Sequence, residues 1–336
     1  MAKIKVGING VGRIGRTLIR QMMTSPSDQI ELVAINNPGD PSIYAHLIKY
    51  DSVHHTLPMK VALEGNFLQI DNKQIRFFTE KDPAKINWSE FKVDIVIDAT
   101  GKFKDREDLS KHIQGTVKKV VLCAPGGDID KTIVMGINHN DYDPANHHIV
   151  SNASCTTNCL APVAKVLNDN FGIENGFMTT VHAYTSDQRL LDHSHKDLRR
   201  ARAAAMSIIP TSTGAAKSIS LVIPELKGKL DGYAVRVPTP NVSMVDLTVT
   251  LTKKATKDEI NHVMEVASKE HLQGILGYVS EELVSIDFNG STYSSIFDSS
   301  LTNIIGNTAK IVSWYDNESG FSNRVINLTE LMASKL

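Results

Sequence analysis

Only three cysteines occur in the 336 residues. So sparse and odd a set cannot build a disulfide framework, and it points to a reducing compartment, the cytoplasm. No stretch approaches the roughly 18 uninterrupted apolar residues of a membrane-spanning helix. The opening "MAKIKVGING" lacks the apolar run and cleavage site of a secretory leader. Excess charge of one sign is missing too. With a formal net charge of -1, bulk electrostatics call for neither a membrane nor a nucleic-acid partner. Repeats, low-complexity tracts and Pro/Ser-rich linkers are absent. What remains is an ordinary globular composition in a chain too long for one hydrophobic core, which predicts two domains joined by a structured element.

The first half alternates short apolar strands with helical spacing. "IKVGI" (4–8), "IELVAIN" (30–36), "VDIVIDATG" (93–101), "KKVVLCAP" (118–125) and "KTIVMGI" (131–137) read as strands. Strands separated by helices predict a parallel sheet covered on both faces. After Cys155 the pattern changes. "TTNCLAPVAKVLNDNFG" reads as a helix ending near Gly172. The strands that follow, "GFMTTVHAY", "GYAVRVPT" and "SMVDLTVTL", are longer and alternate, which predicts a mixed or antiparallel sheet. Thr256 with Glu259 three residues later marks a capping box at a helix start. The tail "ESGFSNRVINLTELMASKL" reads as a last amphipathic helix. The domain junction falls at about residues 150–155.

"GVGRIG" places Gly10, Gly12 and Gly15 directly after a strand and at the opening of a helix. In that context the pattern predicts a dinucleotide site, with a pyrophosphate at the helix N-terminus. Out of context it is only a glycine-rich turn. The second strand of such a unit usually ends in an acid that binds the adenine ribose. Here Asn36 and Asn37 stand in its place. An amide does not repel a 2′-phosphate, so both NAD and NADP stay open.

"SNASCTTNC" places Cys155 and Cys159 four apart. A disulfide within one helix is set aside, and C-x3-C lacks the further ligands a metal site needs. Burial accounts for Cys123 and Cys159. Cys155 differs, because it lies where a strand gives way to a helix. There the helix dipole and free N–H groups stabilise a thiolate. His182, on the next strand, is the imidazole best placed to activate it. A dinucleotide site with an activated cysteine predicts aldehyde oxidation through a thiohemiacetal and a thioester. A cysteine hydrolase would explain the Cys–His pair but not the glycines.

These stretches, with "HKDLRRARAAAMSIIPTSTGAAK", "ELKGKLDGYAVRVPTPN" and "WYDNESGFSNRV", closely resemble the phosphorylating glyceraldehyde-3-phosphate dehydrogenase family, nearly end to end. The resemblance implies an α/β chain with an N-terminal Rossmann dinucleotide-binding domain (1–154) and an α+β catalytic domain with a mixed/antiparallel sheet (155–316). A C-terminal helix, about 317–336, would pack back near the first domain. The implied reaction is the oxidative phosphorylation of D-glyceraldehyde 3-phosphate to 1,3-bisphosphoglycerate with NAD(P) and inorganic phosphate.

By the same resemblance Cys155 is the nucleophile and His182 its activator and base. Ser154, Thr156, Thr213 and Gly214 would hold the attacking phosphate. Thr185, Asp187 and Arg236, with Arg200 nearby, would hold the substrate phosphate. Arg13 and Ile14 would meet the pyrophosphate, Asn37 the ribose and Lys81 the adenine end. Thr100, Gly101 and Cys123 would line the nicotinamide half, and Asn317 would bind the carboxamide. A long loop, about 185–214, would line a subunit contact in a homotetramer. No membrane, metal or nucleic acid is required.

Two departures bear on the cofactor. Asn37 replaces the usual Asp, and His193-Ser194 replaces Leu-Pro. Ser194 would reach a 2′-phosphate across a subunit boundary, so the sequence is compatible with NADP as well as with NAD alone. The nearest rival activity is erythrose-4-phosphate dehydrogenase, which releases the thioester to water.

Overall fold

A computed structural model describes residues 2–336. They form two compact units. The first contains residues up to Ile133, His139–Ala153 and Ser322–Leu336; the second contains Val134–Asn138 and Ser154–Phe321.

The first unit is built on a nine-stranded sheet. Seven strands run parallel, in the spatial order Lys131–Thr132, Ile149–Ser151, Lys119–Leu122, Ile95–Asp98, Ile4–Asn9, Ile30–Asn36 and Lys73–Phe78. In the central strands Val6, Ile8, Ala34, Ile35, Val96, Ile97, Val120 and Val121 are apolar and fully buried, as a sheet covered on both faces requires. Helix Arg13–Thr24 turns Leu18, Ile19 and Met22 inward, one stripe of a 3.6-residue period. The strand order reverses about Ile4–Asn9, which pairs with Ile30–Asn36 on one side and Ile95–Asp98 on the other. Loops diverge at such a switch point and leave a crevice at the carboxyl ends of the strands.

Two antiparallel strands, Phe67–Ile70 and Val61–Glu64, extend the sheet through tight turns at Gly65-Asn66 and Asp71-Asn72. Gly65 and Asp71 both have positive φ, as hairpin turns of two residues demand. The expected strand 131–137 is cut to Lys131–Thr132. Ile133 and Val134 remain fully buried. Beyond them Asn138 Oδ1 accepts the Val134 N–H at 2.9 Å and Gly136 takes φ +82°, closing a turn. The apolar run there reflects burial rather than strand pairing.

The second unit carries a seven-stranded mixed sheet in the order Ile209–Ser212, Leu230–Val237, Ile173–Ala183, Ser243–Leu251, Thr308–Tyr315, Ser295–Ile305 and Leu276–Val279. Ser243–Leu251 alternates buried and half-buried residues without a break, the mark of a sheet with one covered face. Helices Cys155–Phe171 and Lys257–Lys269 cover that face. The latter begins with the predicted capping box: Thr256 accepts the Glu259 N–H at 3.2 Å, and Glu259 accepts the Thr256 N–H at 2.7 Å. On the other face Phe177 is 73% exposed and Tyr233 52%.

The three glycines of "GVGRIG" meet different constraints. A Cβ on Gly15 would lie 2.0 Å from the Gly10 carbonyl oxygen, and Gly10 itself sits at φ +94° against the Thr100 backbone. A Cβ on Gly12 would meet nothing within 4 Å. Gly15→Ala is therefore expected to destabilise the protein by about 1–3 kcal/mol, and Gly12→Ala by about 1 kcal/mol or less. Thermal unfolding midpoints check this, and equal losses at the two positions would contradict it.

Candidate active site

Cys155 is the first residue of helix Cys155–Phe171, whose N-cap Ser154 accepts the Thr157 N–H at 3.0 Å. His182 lies at the end of strand Ile173–Ala183. Parallel pairing with Leu230–Val237 puts it directly beside Arg236. The helix start and the two strand ends converge. Cys155 Sγ is 3.5 Å from His182 Nε2, and Arg236 Nη1 is 2.7 Å from His182 Nδ1. Arg236 also donates to the Ala183 carbonyl oxygen at 2.9 Å, and His182 Nδ1 is 2.6 Å from the same oxygen. Tyr315 stands edge-on to the imidazole at 6.0 Å. Its hydroxyl is shared with Thr156 Oγ1 at 2.9 Å and Thr180 Oγ1 at 2.8 Å.

Burial dominates the electrostatics. It pushes the Cys155 thiol up, while the Arg236 charge and local hydrogen bonds pull it back. Burial and then Arg236 push His182 down to about 3, so the imidazole is neutral near pH 7, the form a base needs. The cation that favours a Cys155 thiolate in the resting chain is thus Arg236 rather than a charged His182. Cys159 is wholly buried against Ser295 and Ser313, and burial lifts its thiol to about 12.

The expected anion-binding residues separate into engaged and open groups. The Thr156 hydroxyl is turned into the core toward Tyr315, and the Ser154 hydroxyl lies 2.8 Å from that of Thr157. Thr213 accepts the Ala215 N–H, with Gly214 at the start of the short helix Ala215–Ser218. Arg200 bonds Asp187 at 2.6 Å and Thr211 at 2.8 Å, and the Thr185 N–H donates to Gln188 Oε1. The Nε of Arg236 is buried without a hydrogen-bond partner, a donor that a bound anion would satisfy.

In the first unit a cavity of about 290 Å3 opens at the switch point. It gathers Gly10, Gly12, Asn37, Lys81 and Thr100 from the expected cofactor set, and adds Asn9, Asn36, Glu80, Lys102 and Phe103. Its donors and open helix N-terminus suit a dinucleotide: Gly12 is exposed, with nothing over its Cα. Asn37 Oδ1 accepts the Val11 N–H at 2.8 Å and its Nδ2 donates to the Pro38 carbonyl, so this amide also shapes the glycine turn.

Other expected residues lie elsewhere. The Arg13 guanidinium is bidentate on Asp51, at 2.6 and 3.1 Å. Burial opposes ionisation of Asp51, yet Arg13 and the His54 and Val53 N–H groups hold its carboxyl well below the usual range. Ile14 is half-buried and Gly15 packs against Gly10. Gly101 turns the chain at φ +63°. Cys123 follows strand Lys119–Leu122, with its thiol raised by burial and by Asp98. Asn317 and Ser194 belong to the second unit: Asn317 Oδ1 accepts the Ser243 hydroxyl, and Ser194 Oγ is 3.2 Å from His193 Nδ1. Asn9 and Phe103 were missed because each stands alone in sequence. Only their positions at the ends of "IKVGIN" and "DATGKF" hint at the cavity.

The sequence-family model described as the glyceraldehyde 3-phosphate dehydrogenase NAD binding domain matches residues 4–106, and that for the C-terminal domain matches residues 154–317. A glyceraldehyde-3-phosphate dehydrogenase of Geobacillus stearothermophilus is 56% identical over 333 residues, 99% of each chain. Glyceraldehyde-3-phosphate dehydrogenase 1 of Bacillus cereus is 55% identical over 332 residues, 98% of this chain and 99% of the relative. A thiol and an imidazole at bonding distance, a glycine-lined cavity at the switch point and matches to both domains agree: the chain belongs to the glyceraldehyde-3-phosphate dehydrogenase family, NAD-dependent phosphorylating oxidoreductases that act on an aldehyde group.

Proposed function

We propose that Cys155, His182 and Arg236 carry the phosphorylating oxidation of D-glyceraldehyde 3-phosphate to 1,3-bisphosphoglycerate. The observation behind this reading is the 3.5 Å approach of Cys155 Sγ to a buried, neutral imidazole. The sulfur bonds to the aldehyde carbon as His182 takes the thiol proton and returns it to the new alkoxide, giving a thiohemiacetal. NAD, when bound, supplies the hydride acceptor. His182 removes the hydroxyl proton as the thioester forms. A phosphate oxygen then attacks the thioester carbonyl, and Cys155 departs as a thiolate.

His182 can accept a proton at Nε2 only if Nδ1 already carries one and donates it to the Ala183 oxygen. Arg236, a donor only, contests Nδ1 in the resting chain. A substrate phosphate that draws Arg236 away, and satisfies its free Nε, would release His182 to act as base. His182→Asn is expected to lower kcat/KM by about 10²–10⁴-fold. D-Glyceraldehyde, which lacks the phosphate, should lose kcat as well as affinity. An unchanged kcat with the unphosphorylated aldehyde would remove Arg236 from this role.

The remaining site assignments are part of the same proposal. Ser154, Thr156, Thr213 and Gly214 serve the attacking phosphate; Thr185, Asp187, Arg200 and Arg236 serve the substrate phosphate. Residues 1–154 act as the NAD(P)-binding domain and 155–316 as the catalytic domain, with the C-terminal helix near the former. NADP is accepted beside NAD, because Asn37 puts an amide rather than a carboxylate on the cavity wall and Ser194 with His193 offers further donors. Asn37→Asp would lose the Nδ2–Pro38 bond and add a negative charge. It should cut kcat/KM for NADP about tenfold or more while that for NAD changes little. Retained NADP use would rule out this role for Asn37.

A homotetramer is the assembly we infer. Phe177 and Tyr233 on the open sheet face, and Leu190, Leu191, Leu198 and Met206 in the loop after His182, are large exposed apolar side chains, of the kind a second copy would cover. Phe177→Asp should yield smaller species by light scattering, and an unchanged mass would count against this face. A cytoplasmic location is proposed from three unpaired thiols, one of them catalytic, and cell fractionation tests it.

A further inference from the structure

Beneath the cavity of the first unit lies a chain of buried polar side chains that no step above uses. Asp98 and His112 are both fully buried, and Asn9 and Asn36 nearly so. The direction of each hydrogen bond can be read from its ends. The backbone of Glu80 orients Asn36: its N–H donates to Asn36 Oδ1 at 2.8 Å, and its carbonyl accepts from Asn36 Nδ2 at 3.0 Å. Asn36 Nδ2 therefore donates to Asn9 Oδ1 at 2.8 Å, which leaves Asn9 Nδ2 to donate to Asp98 Oδ2 at 2.9 Å.

At the other end stands Trp88, whose indole N–H can only donate. It does so to His112 Nδ1 at 3.2 Å. His112 then carries its proton on Nε2, which lies 3.3 Å from both Asp98 Oδ2 and Asn9 Nδ2; of these two only the carboxylate oxygen can accept it. The other carboxylate oxygen, Oδ1, accepts the Thr100 N–H at 3.1 Å and its hydroxyl at 2.7 Å. Thr100 Oγ1 in turn accepts the Lys102 N–H at 3.1 Å.

Four donors thus converge on Asp98 and none of them is a cation. All the polarity of the chain runs toward one carboxylate, which lies under Asn9 and Thr100 of the cavity wall and has no cation among its hydrogen-bond partners. Cys123, whose N–H bonds the Asp98 carbonyl, is pushed up partly by that charge.

NAD and its reduced form have nearly the same shape but differ by one positive charge on the nicotinamide ring. A fixed negative charge below the site disfavours the reduced, more anionic form wherever along the cavity the ring lies. We propose that Asp98, held by Asn9, Thr100 and a single tautomer of His112, is a specificity-determining residue that biases the cavity toward the oxidised cofactor and hastens release of the reduced one. This rests on the reading of that cavity as the dinucleotide site.

The test is to measure Kd for NAD and for NADH separately, by titration of the intact protein. Asp98→Asn keeps the shape and removes the charge. The ratio Kd(NADH)/Kd(NAD) should fall about threefold or more, the order expected of one unit charge acting over roughly 10 Å of protein. Asp98→Ser, in which a small hydroxyl accepts from the same donors, should give the same shift if the asparagine variant does not fold. Thr100→Val removes a donor and keeps the charge, so it should weaken both forms alike and leave the ratio within about twofold. A purely structural Asp98 would raise both constants together in the two charge-removing variants, and an unchanged ratio there overturns the proposal. Failure of the unaltered protein to bind either form would instead overturn the reading of the cavity.

Discussion

The proposed catalytic arrangement depends on one register: the parallel pairing of strand Ile173–Ala183 with Leu230–Val237, which sets His182 beside Arg236. A slip of one residue would turn one of the two side chains to the opposite face of the sheet and separate the pair. The preceding helix begins over these strand ends, so Cys155 reaches the imidazole without any loop of its own. Position is therefore held by backbone hydrogen bonds and by a covered sheet face, not by side chains that must find each other. Tyr315 completes the support, because its hydroxyl ties the helix at Thr156 to the strand at Thr180.

Burial then decides the chemistry that this geometry permits. A thiol and an imidazole taken out of water both favour their neutral forms, and the charge that helps the thiolate is the Arg236 guanidinium. That guanidinium is itself mostly buried with an unused N–H, a combination that an anionic substrate resolves. The first unit follows the same logic with opposite sign. There a carboxylate is enclosed by four donors, none of them a cation. In both units the buried polar groups are oriented by backbone or by side chains that can act in one direction only.

Much of this was legible in the sequence wherever function is local in the chain. "GVGRIG" follows a strand and opens a helix, and its three glycines meet three different spatial demands. Cys155 is marked by its place at a helix start, and the Thr256–Glu259 capping box by its spacing. The hairpin turns Gly65-Asn66 and Asp71-Asn72 went unread, because the strands they join are short and their apolar alternation is weak. What sequence cannot show is convergence. Asn9, Asn36, Trp88, Asp98 and His112 come from five places, and each alone looks like an ordinary core or loop residue. Nor does sequence show commitment: Arg13 and Thr156 were expected to meet anions, but their side chains are engaged by Asp51 and Tyr315. The apolar run 131–137 misled because burial and strand pairing select the same residues.

The most direct test of the account is the initial rate of NAD reduction by the purified protein with D-glyceraldehyde 3-phosphate, measured with and without inorganic phosphate. The account predicts turnover that requires phosphate, or arsenate in its place, because the Cys155 thioester needs that second nucleophile. Equal turnover without phosphate, faster with erythrose 4-phosphate, would mean that water releases the thioester, and it would contradict the assignment of the anion sites.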